Sequence, residues 1–319
     1  MSISLEYLQR CAADTGYAIG PLEKVVRLGE VSAEIARHPF LGDVLVLKGG
    51  TALNLGFGAP TRLSVDLDFN YIGHVEREKM LADRPVVEDA VVKLTERMHY
   101  RIQRSPDTFA GRKLFLTYPS VQGPDERIEI DLNFLYRIPL EDPTVITLWQ
   151  PGELDRHPVR AVSLLELCVG KLLALLDRAA PRDAWDVGQL PKTAGELLTS
   201  ARFRAWFVAL SASLVHPLAT YGRHRLERRL TAQAIREQLV PMLAGGQDPA
   251  IDELIPQAWA VLEPLVTLAP EEEAYLAAIQ RGELRLDLLG PDDERFRDRV
   301  AKHPAILWKL QNVRGRAAR

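Results

Sequence analysis

Two short clusters near the start of the chain hold residues whose types and spacing could do chemistry. In Arg62-Leu63-Ser64-Val65-Asp66-Leu67-Asp68-Phe69, two aspartates stand two apart. On a strand such residues project from one face, so Asp66 and Asp68 share a face while Val65, Leu67 and Phe69 point the other way. Like charges side by side repel, and a divalent cation between them is the usual reason a chain keeps them there. Upstream, Lys48-Gly49-Gly50-Thr51 interrupts the apolar run Val44 to Leu47 and leads into a helical segment, Ala52 to Leu55. Glycines let backbone approach a ligand, and the N–H groups of a helix start, with the Thr51 hydroxyl, favour an anion such as phosphate. Either motif alone also fits an ordinary turn or the exposed face of an edge strand. Together, with Arg62 and Ser64 alternating on the face of the aspartates, they read as a phosphate-and-metal site: Asp66 and Asp68 for Mg²⁺, and the Lys48–Thr51 turn for a phosphate.

The elements that must position these residues are legible from periodicity. Residues 4 to 37 predict helices, with apolar positions at Leu5, Leu8, Cys11, Leu22, Val25, Val26, Val31 and Ile35, and a break at Gly20-Pro21. Arg77 to Arg104 predicts a mostly helical stretch with Pro85 near its start. Lys113–Tyr118 and Arg127–Tyr136 predict a pair of strands joined by Gln122-Gly123-Pro124-Asp125. Within the second, Glu129, Asp131 and Asn133 alternate onto one face. Prolines at 139, 143, 151 and 158 mark a change of pattern, beyond which helical periodicity takes over. The expected organisation is an α/β (α+β) N-terminal domain with a mixed sheet, residues 1–150, and an all-helical C-terminal domain, residues 151–319.

The whole chain bounds the function classes. At 319 residues, 47% hydrophobic and 26% charged, the composition is that of an ordinary globular protein with one large or two medium cores. A net charge of −3 gives no global positive field, so any nucleic-acid contact must come from local patches. Two cysteines, Cys11 and Cys168, offer neither a disulfide framework nor metal-ligand spacing. With no membrane span and no leader pattern, the expected location is the cytoplasm.

The helical half opens on Ser163-Leu164-Leu165-Glu166, a capping-box start, followed by a helix apolar almost all round. Lys171 lies in its middle and Arg178 seven residues on, along the same face. A lysine there either snorkels to solvent, pairs with a buried acid, or holds a phosphate. Pro181-Arg182-Asp183-Ala184-Trp185-Asp186 begins the next helix, where a proline and acids suit the first turn. Farther on, Arg223, His224, Arg225, Arg228, Arg229 and Arg236 form a basic cluster, and Lys309, Arg314, Arg316 and Arg319 a basic tail. Such runs are usually solvated faces, and they are also candidates for phosphate contacts.

KGGTAL followed by RLSVDLDF resembles the opening motif of the AbiEii/AbiGii family of toxin nucleotidyltransferases, which includes the MenT toxins of mycobacteria and forms a branch of the DNA polymerase β-like superfamily. The Arg182-Asp183-x-x-Asp186 segment and Lys171 resemble its second region, and HPAILWKLQNVR its C-terminal end, so the likeness spans nearly the full chain. The resemblance implies a bilobal enzyme in which Asp66, Asp68 and a third acid bind Mg²⁺. Asp131 is the first candidate for that acid and Glu129 the second. It further implies that Lys171 and Asp186 serve the active site from the helical domain across an interdomain cleft, with Arg178, Arg182 and Asp183 in support, and that Lys48, Gly49, Gly50, Thr51, Arg62 and Ser64 contact the nucleotide. The implied activity is transfer of NMP from an NTP to the 3′ end of tRNA with release of pyrophosphate, blocking translation. A cognate antitoxin is implied as partner, with or without direct contact. A protein or small-molecule hydroxyl as acceptor, or a non-catalytic nucleotide- or RNA-binding module, are the competing readings.

Overall fold

The structure, a computed structural model, describes residues 3–290 and 293–317. The chain divides into two units, Met1–Ser163 with Val240–Gln247, and Leu164–Leu239 with Asp248–Arg319.

The first unit begins with α1 (Leu5–Thr15) and α2 (Ile19–Arg37). The Ser4 hydroxyl accepts the Tyr7 N–H to start α1, and Gly16, at φ 77°, ends it. The helix break therefore falls at Gly16 and not at Gly20-Pro21, which lies in the first turn of α2, where proline is tolerated. After α3 (Leu41–Val44) come β1 (Leu45–Lys48), α4 (Gly49–Gly56), β2 (Asp66–Tyr71), α5 (Arg77–Arg97), β3 (Arg101–Arg104), β4 (Gly111–Pro119), β5 (Asp125–Asn133), β6 (Thr144–Thr147) and β7 (Pro158–Ala161). They build one mixed sheet in the order β3-β4-β5-β2-β1-β7-β6. The contacts β1–β7 and β2–β5 are parallel, the others antiparallel.

Leu67, Phe69, Leu114, Leu116, Tyr118, Ile128, Ile130 and Leu132 are buried on one side of this sheet. The helices α2 and α5 cover that side: Tyr71 donates to Asp83 of α5 at 2.5 Å, and Arg27 of α2 lies 4.1 Å from the Tyr118 ring centroid. Period-2 alternation then sends Asp66, Asp68, Glu129 and Asp131 to the other side.

Three expectations need correction. The helix expected over 77–104 stops at Arg97; His99 takes a left-handed φ of 67° and turns the chain into the short strand β3. Pro85 lies inside α5, because Lys79, Met80, Leu81 and Ala82 before it are already good helix formers. The boundary expected at 150 falls at Ser163, since β6 pairs with β7 and β7 with β1, which keeps the proline-rich stretch with the sheet. Four-residue strands are too short for alternation to show. The segment 240–247 also returns to the first unit, where the Leu63 N–H donates to the Met242 carbonyl at 2.7 Å and the Gly245 N–H to the Gly16 carbonyl at 2.6 Å.

In the second unit the described residues form helices and short 3₁₀ turns: α6 (Leu164–Arg178), α7 (Pro181–Leu198), α8 (Ala201–Ser211), α9 (Arg223–Arg229), α10 (Ala232–Gln238), α11 (Ile251–Val266), α12 (Pro270–Gln280), α13 (Glu294–Lys302) and α14 (Pro304–Ala317). The nearly all-apolar α6 packs on α7 and α8, and α11 lies along α7. That accounts for the burial of α6 from Leu165 to Leu176 on more than one face. Ala179, at φ 50°, reverses the chain so that Pro181 opens α7.

Candidate active site

The register of the sheet sets four charged residues in one row. Lys48 of β1 is opposite Asp68 of β2, Asp68 is opposite Asp131 of β5, and Asp131 is opposite Lys113 of β4. One step along, Asp66 is opposite Glu129. The row reads plus, minus, minus, plus. Lys48 Nζ lies 3.8 Å from Asp68 Oδ1, and Lys113 Nζ lies 3.9 Å from Asp131 Oδ2 while also pairing with Glu129. Both central carboxylates stay about a third exposed, at 30% for Asp68 and 33% for Asp131.

Partial burial pushes the Asp131 carboxyl above the usual aspartate range. The neighbouring Asp68 and Glu129 add to that, while Lys48 and Lys113 oppose it. On Lys113, burial pulls the ammonium down, but its hydrogen bond to Glu129 and the charges of Glu129, Asp131 and Asp68 together hold it above the usual lysine range. The two central acids thus sit in a field that an added cation would relieve.

The glycine turn lies against this row. Gly49 has φ 74°, and a methyl group built there would collide with Asp68 Oδ2. Only glycine allows both the left-handed backbone and that approach. At Gly50 a Cβ would stand 2.9 Å from Ser64 Oγ and 3.1 Å from Arg62 Nη2, so Arg62 and Ser64 do lie beside the turn. They are not on β2, however. The strand starts at Asp66, and both residues are buried in the irregular segment before it, where Arg62 Nη1 donates to the Leu63 carbonyl at 2.8 Å. Thr51 is also fully buried. Its single hydroxyl hydrogen goes to the Asp66 carbonyl at 2.5 Å, so it ties α4 to β2 and has none to give a phosphate.

In the second unit, α6 and α7 bring Lys171, Arg178, Asp183 and Asp186 together. Lys171 is 7% exposed, and its Nζ lies 3.1 Å from Asp183 Oδ1 and 2.8 Å from Asp186 Oδ2. Arg178, 62% exposed at its side chain, donates from Nε and Nη2 to the same Asp183 at 2.5 and 2.9 Å. Burial alone would raise the Asp183 carboxyl; Lys171 and Arg178 outweigh it and hold that carboxyl below the usual range. Of the three sequence readings of Lys171, the geometry is that of a lysine paired with buried acids. Arg182 is half-buried in the first turn of α7.

The basic runs do not form one surface. Arg225 caps the end of α6, donating to the Leu176 carbonyl at 2.8 Å and to that of Asp177. Lys309 donates to the Leu214 carbonyl and Arg314 to that of Gly282. Arg223 pairs with Glu227, whereas Arg228, Arg229 and Arg236 are exposed. Arg319 lies outside the described residues.

Two residues of the acid face are not evident from the motifs. Lys113 was legible only as the end of a strand, and its place in the row depends on the β4–β5 register. Asn70, next after Asp68 on the same face, is 2% exposed with its side-chain oxygen lacking a hydrogen-bond partner. Among the described residues no three His, Cys, Asp or Glu side chains converge into a metal cage. Mg²⁺ needs none, since it takes one or two carboxylates from a protein and completes its shell with phosphate oxygens and water. The facing pair Asp68 and Asp131, both part-exposed, has the chemistry such an ion takes from a protein.

The site is thus a row of charged residues on a mixed sheet with a glycine turn against it. The family model for the AbiEii nucleotidyl transferase toxin of type IV toxin–antitoxin systems matches residues 33–263, well over half of the chain, and the protein belongs to that family. Among solved structures, the nucleotidyltransferase toxin MenT4 from Mycobacterium tuberculosis H37Rv is similar over 96% of this chain and 99% of its own, at 18% identity and a TM-score of 0.60. It shows the same fold. The GLD-2/RNP-8 complex aligns over 96% of this chain and 97% of that one, at 12% identity and a TM-score of 0.29, too low to carry an argument. No curated protein matches the chain by sequence. No helix among the described residues is long and apolar enough to cross a membrane.

Proposed function

We propose that this protein transfers a nucleoside monophosphate from an NTP to the 3′ hydroxyl of tRNA, releasing pyrophosphate and blocking translation, as the toxin of a toxin–antitoxin pair whose antitoxin is its cognate partner. The observation that carries the reading is the Lys48–Asp68–Asp131–Lys113 row, backed by a turn whose left-handed backbone and close approach to Asp68 favour glycine. Asp66, Asp68 and Asp131 are the residues that would hold Mg²⁺, which when bound neutralises phosphate oxygens and favours displacement at the α-phosphorus. The backbone of Gly49 and Gly50 and the ammonium of Lys48 receive the triphosphate. Asp131, with its raised proton affinity, takes the proton of the attacking hydroxyl as the new oxygen–phosphorus bond forms and the bond to pyrophosphate breaks. Lys171 has three N–H donors and two acids to satisfy. We assign its third hydrogen, and the solvent-open edge of Arg178, to phosphate oxygens, with Asp183 and Asp186 fixing the lysine in place and Arg182 beside them.

Incubating the protein with Mg²⁺ and each labelled NTP, in the presence of separate RNA and protein pools, tests the reading. Label is expected at RNA 3′ ends. Label confined to protein would overturn the acceptor, and label in neither would overturn the transfer. In cells, Asp66→Ala should relieve growth inhibition; undiminished toxicity would place the harm elsewhere.

A further inference from the structure

The acid face of the sheet does not end at the charged row. Beyond Asp131, the same alternation that exposes Glu129 also puts Arg127 on this side, and the β4 register brings Phe115 opposite Glu129 and Thr117 opposite Arg127. Strand β3 then adds Gln103 opposite Phe115 and Arg101 opposite Thr117. The other faces of these strands, at Leu114, Leu116 and Ile128, are buried under helices. On the open side Phe115 and Thr117 are half-buried, while Arg101, Gln103, Lys113 and Arg127 are exposed.

Phe115 stands on the open strand face, half-buried and outside the sheet's helix-covered core. It is accompanied: the Arg127 guanidinium lies 5.0 Å from the Phe115 ring centroid. The nearby cations differ in their commitments. Arg101 pairs with Asp125 and Lys113 with Glu129, whereas Arg127 makes no close ion pair among the described residues. The surface therefore offers a flat ring, a guanidinium plane beside it and an exposed positive charge. From strand geometry, Phe115 stands about 8 Å from Asp131, one strand over and two residues along.

We propose that this face is a platform for the single-stranded 3′ end of the acceptor RNA, with a base close to the end stacked on Phe115 and Arg127 and the adjoining phosphate meeting the Arg127 charge. The proposal rests on the RNA acceptor reading above and sharpens it: recognition here is by stacking and backbone charge, and so tolerates different bases. In a duplex only the outer face of the terminal pair is open, whereas an unpaired end can splay its bases onto the ring, so the platform favours an unpaired terminus. It joins the carboxylate row without interruption, which lets the stacked strand direct its terminal hydroxyl toward Asp131.

The test uses a 5′-fluorescein ten-nucleotide single-stranded RNA, followed by fluorescence anisotropy with the full chain, and the same oligonucleotide as acceptor in the transfer assay. Phe115→Leu keeps an apolar, strand-compatible side chain and removes the ring; it should weaken RNA binding about tenfold and raise the acceptor KM to match. NTP KM should not change. Phe115→Trp should restore wild-type binding or exceed it, a rescue that a folding role for Phe115 would not give. Arg127→Ala should weaken binding and flatten the dependence of log Kd on log salt by about 0.7. Binding to a blunt duplex of the same sequence should be weaker than to the single strand. Wild-type affinity in Phe115→Leu, or a wild-type protein with no affinity for the single strand, overturns the platform. The two readings fail separately. Transfer to RNA that Phe115→Leu leaves untouched removes the platform and keeps the function, while ring-dependent RNA binding without transfer keeps the platform and removes the proposed reaction.

Discussion

The two charged clusters use similar side chains in opposite ways. On the sheet, Asp68 and Asp131 face each other across a parallel strand pair, remain a third exposed, and have their lysines at 3.8 and 3.9 Å, too far for good hydrogen bonds. On α6 and α7, Lys171 sits at bonding distance from both Asp183 and Asp186, and the three are largely buried. The first arrangement leaves charge unsatisfied and accessible, a condition that an incoming cation or phosphate improves. The second is nearly complete in itself. Removing one partner there strands a buried charge, and the cost falls on the fold. The contrast separates residues whose loss should silence chemistry from residues whose loss should first unfold the protein.

The largest effect should come from the open row. Asp68→Ala removes a part-exposed carboxylate whose contacts are the Gly49 turn and Lys48 at 3.8 Å, and transfer should fall by about 10³-fold with the thermal midpoint almost unmoved. A parallel loss of stability would erase the distinction between the two clusters. For the buried cluster, Lys171→Met should destabilise the chain by about 3–5 kcal/mol in urea unfolding, because Asp183 and Asp186 both lose their shared cation. If stability is retained while transfer is abolished, Lys171 acts on phosphate and its ion pairs are incidental to folding.

Legibility in the sequence followed the same divide. Asp66 and Asp68 could be placed on one face from spacing alone, and Asp131 from the alternation of Glu129, Asp131 and Asn133, since period 2 is a local property. Which acid opposes which is a matter of register, and no local pattern contains it; Lys113 therefore went unnoticed although it completes the row. Thr51 illustrates the converse. Its position at a helix start suggested a phosphate donor, but its hydroxyl is used by the Asp66 carbonyl of a strand that follows a long turn. The strands β6 and β7 were missed because four residues give two per face, too few to distinguish from loop. In the helical unit, the burial of α6 was plain from its apolar content, and that Lys171 would find an acid was one of the options; the identity of both acids needed the reversal at Ala179.

A smaller disturbance probes the junction of fold and site. Gly49→Ala forces a left-handed alanine and pushes Asp68 from its position. A stability loss of about 1–2 kcal/mol is expected from the backbone alone. Transfer should drop by much more than that loss implies. An alanine variant with full activity would mean that the approach of the turn to Asp68 has no part in the chemistry.

The least perturbing probe of the buried cluster is acid. Asp183 has its folded-state carboxyl held below the unfolded value by Lys171 and Arg178 against the opposing effect of burial. A depressed acid contributes stability that is present in full above its unfolded pKa, about 3.9, and is lost as pH falls from there through the folded value. Stability measured from pH 6 downward should therefore stay flat with respect to this group until about pH 4.5 and then fall. Arg178 is largely exposed and reaches Asp183 from outside, so Arg178→Ala removes one of the two cations without opening the core. The folded-state carboxyl should then rise toward its unfolded value, and the acid limb of stability attributable to Asp183 should become shallower, with a lower plateau at neutral pH. The open row supplies the control: Asp68→Asn should leave that limb as it is. If Arg178→Ala also leaves it unchanged, Lys171 alone holds Asp183 ionised, and the arginine is free to be given wholly to phosphate.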